Sequence, residues 1–414
     1  MQVEHGEPKD SAEHLENFDI EDAIKTVRRL GHELIGLTAH AKHHFRASWV
    51  DQLVTRYRER PGKPIVHLSD LRDTVMPVLA GEARNHVAKF FASFVQKEGL
   101  WSSGLVFRNI VRFAREKGDN PAKLRSWREF SSRTGLDLNS LEPHVLALRL
   151  SGGRGMRIVK EPILPMNLAT PAGGKLIGYR LDSNYSNSAF TNKNLLLHED
   201  YRRAVTEVVG NITITETNNR GSGFKPDHYL RTNVGNLVTT LMSVAGLDIS
   251  REQRSAWFFI SPIDAIVAFL AAIWDAEGSV NKRDLKLRQA VALEVLSSNL
   301  KVPNWPDSLR YSRLDETAKE ELLAQPPRIL VSTALLLRKI GVICHVEPDR
   351  ISNTNNGISA YWYLRVMRND SVRTFHENIR LVSPSKEAQI SENVRAIKWS
   401  WRESASISQK SFLT

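Results

Sequence analysis

The sequence predicts an α+β fold, in which a mostly α-helical N-terminal domain precedes a mixed half built from one pattern used twice. Three observations carry that prediction. Apolar residues recur at helical spacing through residues 20–150, as in "DIEDAIKTVRRLGHELIGL" and "EARNHVAKFFASFVQ". A stretch rich in glycine and proline, "LSGGRGMRIVKEPILP", then interrupts the pattern. Beyond it, helical stretches alternate with short β-like runs, and the order of these pieces repeats.

With 414 residues the chain exceeds one compact core, and two or three domains are expected. Residues 1–19 form an acidic, polar tail without the apolar core of a signal peptide. Residues 20–150 make the helical domain. Within it, residues 126–149, "SWREFSSRTGLDLNSLEPHVLALR", carry Ser131 and Gly135 four positions apart, with Leu136 and Leu141 placed to join two helices. A helix-turn-helix has that spacing and would offer its second helix to a major groove. A plain helical hairpin fits the same residues. Residues 151–165 read as a linker.

The repeated pattern starts with "GGKLIGYRLDSNYSN" and again with "IVAFLAAIWDAEGSVN", Leu270 standing where Leu176 stood. An amphipathic helix comes next in each block, "LLLHEDYRRAVTEVVG" and then "PRILVSTALLLRKIG". Strand pairs succeed it, with "DHYLRTNV" matched by "YWYLRVMR", and a further helix closes each block. The second block has an extra piece, "SSNLKVPNWPDSLRYSRLDETAKEELLAQ".

The formal net charge of +11 suits a nucleic acid or another anionic surface, although a merely basic soluble protein has the same balance. One cysteine, Cys344, excludes an internal disulfide framework and a cysteine-rich zinc site, and fits a reducing, intracellular compartment. No apolar run reaches the length of a membrane span, so no membrane partner is expected.

"FLAAIWDAEGSVNKRDLKLRQ" departs from an ordinary core helix. Its apolar, small-residue run ends in Asp275 and Glu277 and then in the bases Lys282, Arg283, Lys286 and Arg288. On strands, alternate residues share a face. Lys286 therefore shares a face with Arg288. Tyr361, Tyr363 and Arg365 share one face of "YWYLRVMR", and Trp362, Leu364 and Val366 the other. Tyr229 and Arg231 match them in the first block. These residues are candidates for contact with phosphates or base edges, a solvated strand face being the plainer alternative.

"LAAIWDAEG", Leu270 to Gly278, resembles the signature of the LAGLIDADG homing endonuclease family, and the resemblance extends over about Pro162 to Trp401. It implies two pseudo-symmetric αββαββα repeats, residues 166–255 and 256–402, with a tail at 403–414. It implies that the two motif helices meet along a pseudo-twofold axis through Ala271 and Ala272 on one side and Gly174 and Gly178 on the other. The strands would form a saddle over double-stranded DNA, in a monomer. Glu277 would be a catalytic acid and metal ligand, with Mg²⁺ the cofactor of an active enzyme, because carboxylates supply the ligands that phosphodiester hydrolysis needs. Asp275 would be structural. Lys386 and Arg254 resemble the family's basic residues near the cleavage centre.

The first motif, "LIGYRLDSN", departs from the family pattern. Ser183 stands at the acid position and Asn184 at the glycine, with Asp182 one residue earlier. Helical neighbours point about 100° apart, so Asp182 serves as second catalytic acid and metal ligand only if the helix ends early. Three outcomes are open: cleavage of both strands using Asp182, nicking or little activity from Glu277 alone, or a saddle that binds without cutting. The functions consistent with them are a site-specific endonuclease, a cleavage-deficient transcription regulator and an intron maturase that binds RNA.

Overall fold

The computed structural model describes residues 18–39, 44–79, 137–150, 158–182, 189–218, 230–233, 236–247, 255–281, 284–292, 308–354 and 357–397. The architecture is mixed α+β, with several helices and small antiparallel sheets.

Helices α1 (Ile20–Ala39) and α2 (Ala47–Glu59) pack together at the start of the chain. Glu21 and Asp22 lie in the first turn of α1, where the helix dipole favours acids. Among the described residues the helical stretch ends at Glu59, and residues 80–136 lie outside them. After Glu59 come β1 (Ile65–Val66), a 3₁₀ helix (Leu68–Thr74), β2 (Val75–Leu79), a second 3₁₀ helix (Asn139–His144) and β3 (Val145–Leu150). The helix-turn-helix reading of residues 126–149 is therefore corrected in its second half, where a 3₁₀ helix and a strand stand in place of a reading helix. Pro143 has no N–H to give to an α-helix and disfavours the α conformation in the residue before it. "VLALRL" buries Leu148 and Leu150 at a period of two. Residues 126–136 and "EARNHVAKFFASFVQ" lie outside the described residues.

Part of the stretch read as a linker, residues 151–165, takes part in a sheet. Strand β4 (Ile158–Lys160) pairs with β3 and with β7 (Asn211–Ile212), giving a sheet of order β2-β3-β4-β7. Strand β5 (Met166–Asn167) pairs with β1, another link between the N-terminal part and the first block. Residues 151–157 lie outside the described residues.

The first block contains α3 (Pro171–Asp182), β6 (Ala189–Asn192), α4 (Leu195–Val209), β7, β8 (Thr215–Asn218), β9 (Leu230–Asn233) and α5 (Asn236–Val244). Asn194 caps α4 by accepting from the Leu196 N–H at 3.0 Å. The second block contains α6 (Ile263–Glu277), β10 (Gly278–Val280), β11 (Leu285–Ala292), β12 (Ser308–Arg310), α7 (Glu316–Ala324), α8 (Arg328–Lys339), β13 (His345–Thr354), β14 (Gly357–Val366), α9 (Asn369–Asn378) and α10 (Pro384–Ala396). Its sheet has the order β10-β11-β14-β13-β12. The inner order β11-β14-β13 repeats the order β6-β9-β8 of the first block. The extra piece of sequence supplies β12 and α7.

The apolar core is continuous from α1 and α2 through both blocks, so residue 150 does not separate two cores. Trp49 of α2 donates its Nε1–H to the Leu323 carbonyl at 2.7 Å and sets its ring edge-on to Trp362, centroids 5.9 Å apart. Tyr57 meets Phe259 at 5.9 Å. The physical reason is that helices as short as these draw their stability from tertiary packing of an apolar face, and that face is completed by the second block. No helix among the described residues is long and apolar enough to cross a membrane.

Candidate functional site at the paired helix ends

Helix α6 is apolar on nearly all sides, and Phe269 through Asp275 are all buried. A helix of that composition belongs inside a structure, and α3 is its main neighbour. The two backbones approach closely because α3 presents glycines. A Cβ added to Gly174 would overlap the carbonyl oxygen of Ala265. One added to Gly178 would lie 2.7 Å from the Ala272 Cβ and 2.8 Å from the Phe269 oxygen. Gly174 thus meets Ala265, and Gly178 meets Phe269 and Ala272, so contacts advance in the same direction along both helices. The helices run parallel. Asp182 and Glu277, their last residues, lie at the same end, each about one turn beyond the contact.

Two parallel C-termini place two partial negative charges side by side, and Glu277 adds a carboxylate at the end of α6. The chemistry of this end favours a cation. Lys386, from the first turn of α10, supplies one: its Nζ donates to the Trp274 carbonyl at 2.9 Å and the Asp275 carbonyl at 2.6 Å. The sequence expectation put Lys386 near a cleavage centre; the structure places it on the Trp274 and Asp275 carbonyls at the end of α6.

Asp275 is 2% exposed and accepts the N–H groups of Val382 at 2.7 Å and Ser383 at 2.9 Å. It ties the end of α6 to the segment entering α10. Burial pushes its carboxyl above the usual range, against those two donors and the nearby Lys386. Glu277, two residues on, is exposed. Gly278 comes next with φ −72, a conformation open to any residue. Space explains the glycine there, because an added Cβ would run into the Trp274 ring and lie 2.6 Å from its carbonyl oxygen.

The first motif helix is anchored by other means. Asp200 of α4, 3% exposed, accepts from Lys175 Nζ at 2.7 Å, from the Tyr179 hydroxyl at 2.8 Å and from Arg203. Burial alone would raise its carboxyl, but the hydrogen bonds from Lys175, Tyr179 and Arg203 outweigh it and hold Asp200 below the usual range.

A divalent cation at the helix ends would find an oxygen donor of the kind Mg²⁺ prefers in the exposed Glu277, while the Asp182 side chain lies outside the described residues. Mg²⁺ commonly takes one or two carboxylates and keeps several waters. Among the described residues no group of three or more His, Cys, Asp or Glu side chains forms a ready metal cage.

The sheet of the second block carries the other candidates. Trp362, Leu364 and Val366 are each 0% exposed, while Tyr361, Tyr363 and Arg365 lie partly exposed on the opposite face. Across the ladder Lys286 stands opposite Arg365 and shares that face, and the backbone of Arg288 pairs with Tyr363, its side chain lying outside the described residues. Arg231 sits in β9 between Thr191 and Thr217. Arg254, Lys282, Arg283, Tyr229 and Ser183 lie outside the described residues.

Two residues on the sheet face that sequence reasoning missed are Asp284 and Glu347, both partners of Arg365. Asp284 did carry a signal, as a lone acid within "NKRDLKLR". Glu347 did not, since its neighbourhood with Arg365 exists only through the pairing of β13 with β14. No protein-family model matches the chain, and no curated protein matches it.

Proposed function

We propose that this protein is a LAGLIDADG-type protein that binds double-stranded DNA and hydrolyses its phosphodiesters with a divalent metal at the ends of α3 and α6. The observation that carries the reading is the parallel, glycine-mediated packing of α3 on α6, which sets Asp182 and Glu277 at one end of the pair. The shared strand order of the two sheets and the net charge of +11 support it. Glu277 and Asp182 would hold the metal. When bound, the metal would lower the pKa of its water and neutralise charge at the phosphate. Lys386 fixes the last carbonyls of α6, and Asp275 fixes the chain beside them, so the site stands on a rigid end.

The test is a Mg²⁺-dependent nicking assay on a plasmid library carrying random inserts. The wild type is expected to nick and Glu277→Gln to fall to background. A wild type that binds duplex DNA without cutting it would give the second reading, a cleavage-deficient regulator, which Ser183 at the acid position favours. Preference for structured RNA over duplex DNA would point to a maturase. Nicking unchanged in Glu277→Gln would overturn the assignment of the site.

A further inference from the structure

The exposed face of the second sheet has two kinds of arginine. Arg350 of β13 places its guanidinium carbon 4.9 Å from the centre of the Tyr361 ring, opposite Arg310 of β12, and among the described residues no carboxylate pairs with either arginine. Arg365 is held differently. Its Nε and Nη2 donate to Asp284 Oδ2 at 3.2 and 2.7 Å, and its Nη1 donates to Glu347 Oε1 at 2.7 Å. Asp284 is fixed in turn by Asn281 Nδ2 and Lys286 Nζ, each at 3.2 Å. Lys286 also stands over the Tyr363 ring, 5.7 Å from its centroid.

Elementary electrostatics gives this arrangement two consequences. Arg365 and Lys286 together with Asp284 and Glu347 sum to zero charge, so this row adds little to the counterion release that drives phosphate binding. The guanidinium has five N–H donors in a fixed fork. Three are engaged by the two carboxylates, leaving two, on a side chain that is 26% exposed and whose orientation is set before any partner arrives. A preset fork with little net field suits a pair of acceptors at fixed spacing better than a phosphate. The guanine edge in the major groove, O6 and N7, is such a pair, and a two-stranded β-ribbon fits that groove.

On the reading that this face binds duplex DNA, the geometry points to Arg365 as the reader of one guanine in the major groove, with Asp284 and Glu347 as its positioning residues. Arg350 belongs to the uncompensated row and contacts phosphate. The same surface thus divides base reading from charge anchoring by where its acids lie.

The experiment compares full-length wild type with Arg365→Lys, Asp284→Asn and Arg350→Met. Each is used to select duplexes from a random-sequence library, and its affinity for the wild-type consensus is titrated against salt. Far-ultraviolet circular dichroism checks that each variant folds. Arg365→Lys keeps the charge and loses the fork. It is expected to lose about tenfold or more of the preference for guanine at one position, with the slope of log affinity against log salt unchanged. Asp284→Asn is expected to relax the same position. Arg350→Met should lower the slope by about one and leave the consensus alone. An unaltered consensus in Arg365→Lys would overturn the inference, as would a lower slope without a change of consensus. A wild type that binds no duplex would overturn the DNA-binding reading itself, and a wild type that binds with all variants selecting alike would overturn only the reading of Arg365.

Discussion

The two motif helices, α3 and α6, do the same packing job with opposite resources. Helix α6 is apolar almost throughout, and its one buried acid, Asp275, faces backbone N–H groups at its C-terminal end. Helix α3 is anchored midway, where Lys175 and Tyr179 reach a carboxylate, Asp200, on the neighbouring α4. The glycines are also on one side only, since Gly174 and Gly178 face Ala265, Phe269 and Ala272. Under a true twofold axis both helices would share these devices. The difference teaches that a close helix pair needs one thin partner and one tether each, and that neither need be the same residue on both sides.

The largest effect should come from thickening the thin partner. Gly174→Ala drives a methyl into the Ala265 carbonyl, which is backbone and cannot swing aside. A loss of about 3 kcal/mol in unfolding free energy is expected by chemical denaturation. Ala272→Gly, on the thick side, should cost only about 1 kcal/mol, the penalty for glycine in a helix. Equal losses would remove the asymmetry.

Next in size is Asp200→Asn, which leaves Lys175 and Arg203 without their buried counter-ion and should cost about 2–3 kcal/mol at pH 7. Its pH dependence separates it from a packing effect. The folded carboxyl lies below the unfolded value of about 3.9. The stability it contributes is present above that value and is lost as pH falls through the folded pKa. Asp200→Asn should flatten the wild-type loss of stability in acid, as followed by urea midpoints from neutral pH downward.

Asp275→Asn should cost less than Asp200→Asn, about 1–2 kcal/mol, because an amide oxygen keeps part of the bonding to Val382 and Ser383. Burial raises the Asp275 carboxyl, so the folded state binds its proton more readily than the unfolded one and the group contributes no acid loss of its own. The acid-induced loss seen in wild type should therefore persist in Asp275→Asn. A flattened acid profile would reverse the roles assigned to the two acids.

Much of the second block was legible in its sequence, because its signals are periodic. The alternation in "YWYLRVMR" separates Trp362 from Tyr361 and Tyr363 without any structure. The apolar run of α6 similarly declares a buried helix with its acids at the end. The region around Leu138–Leu150 was misread because apolar spacing of three and four overlaps with a period of two over so short a run, and Pro143 is the residue that tells them apart. Asp200 was readable and missed. It stands three residues after Leu197 and four before Ala204, inside the apolar stripe of α4, where an acid calls for partners. The pairing of Arg365 with Glu347 was beyond the sequence, since strand register across the sheet decides it.

The seat of Trp49 bears on how the chain is made. Its indole N–H reaches a carbonyl 274 residues later in the chain. At about 5–20 residues per second, a growing chain would expose that helix face for roughly 15–55 s before Leu323 exists to receive it. Helix α2 is thus made well before the segment that receives it, and during that interval an apolar surface waits in solvent, open to chaperones and to other unfinished copies.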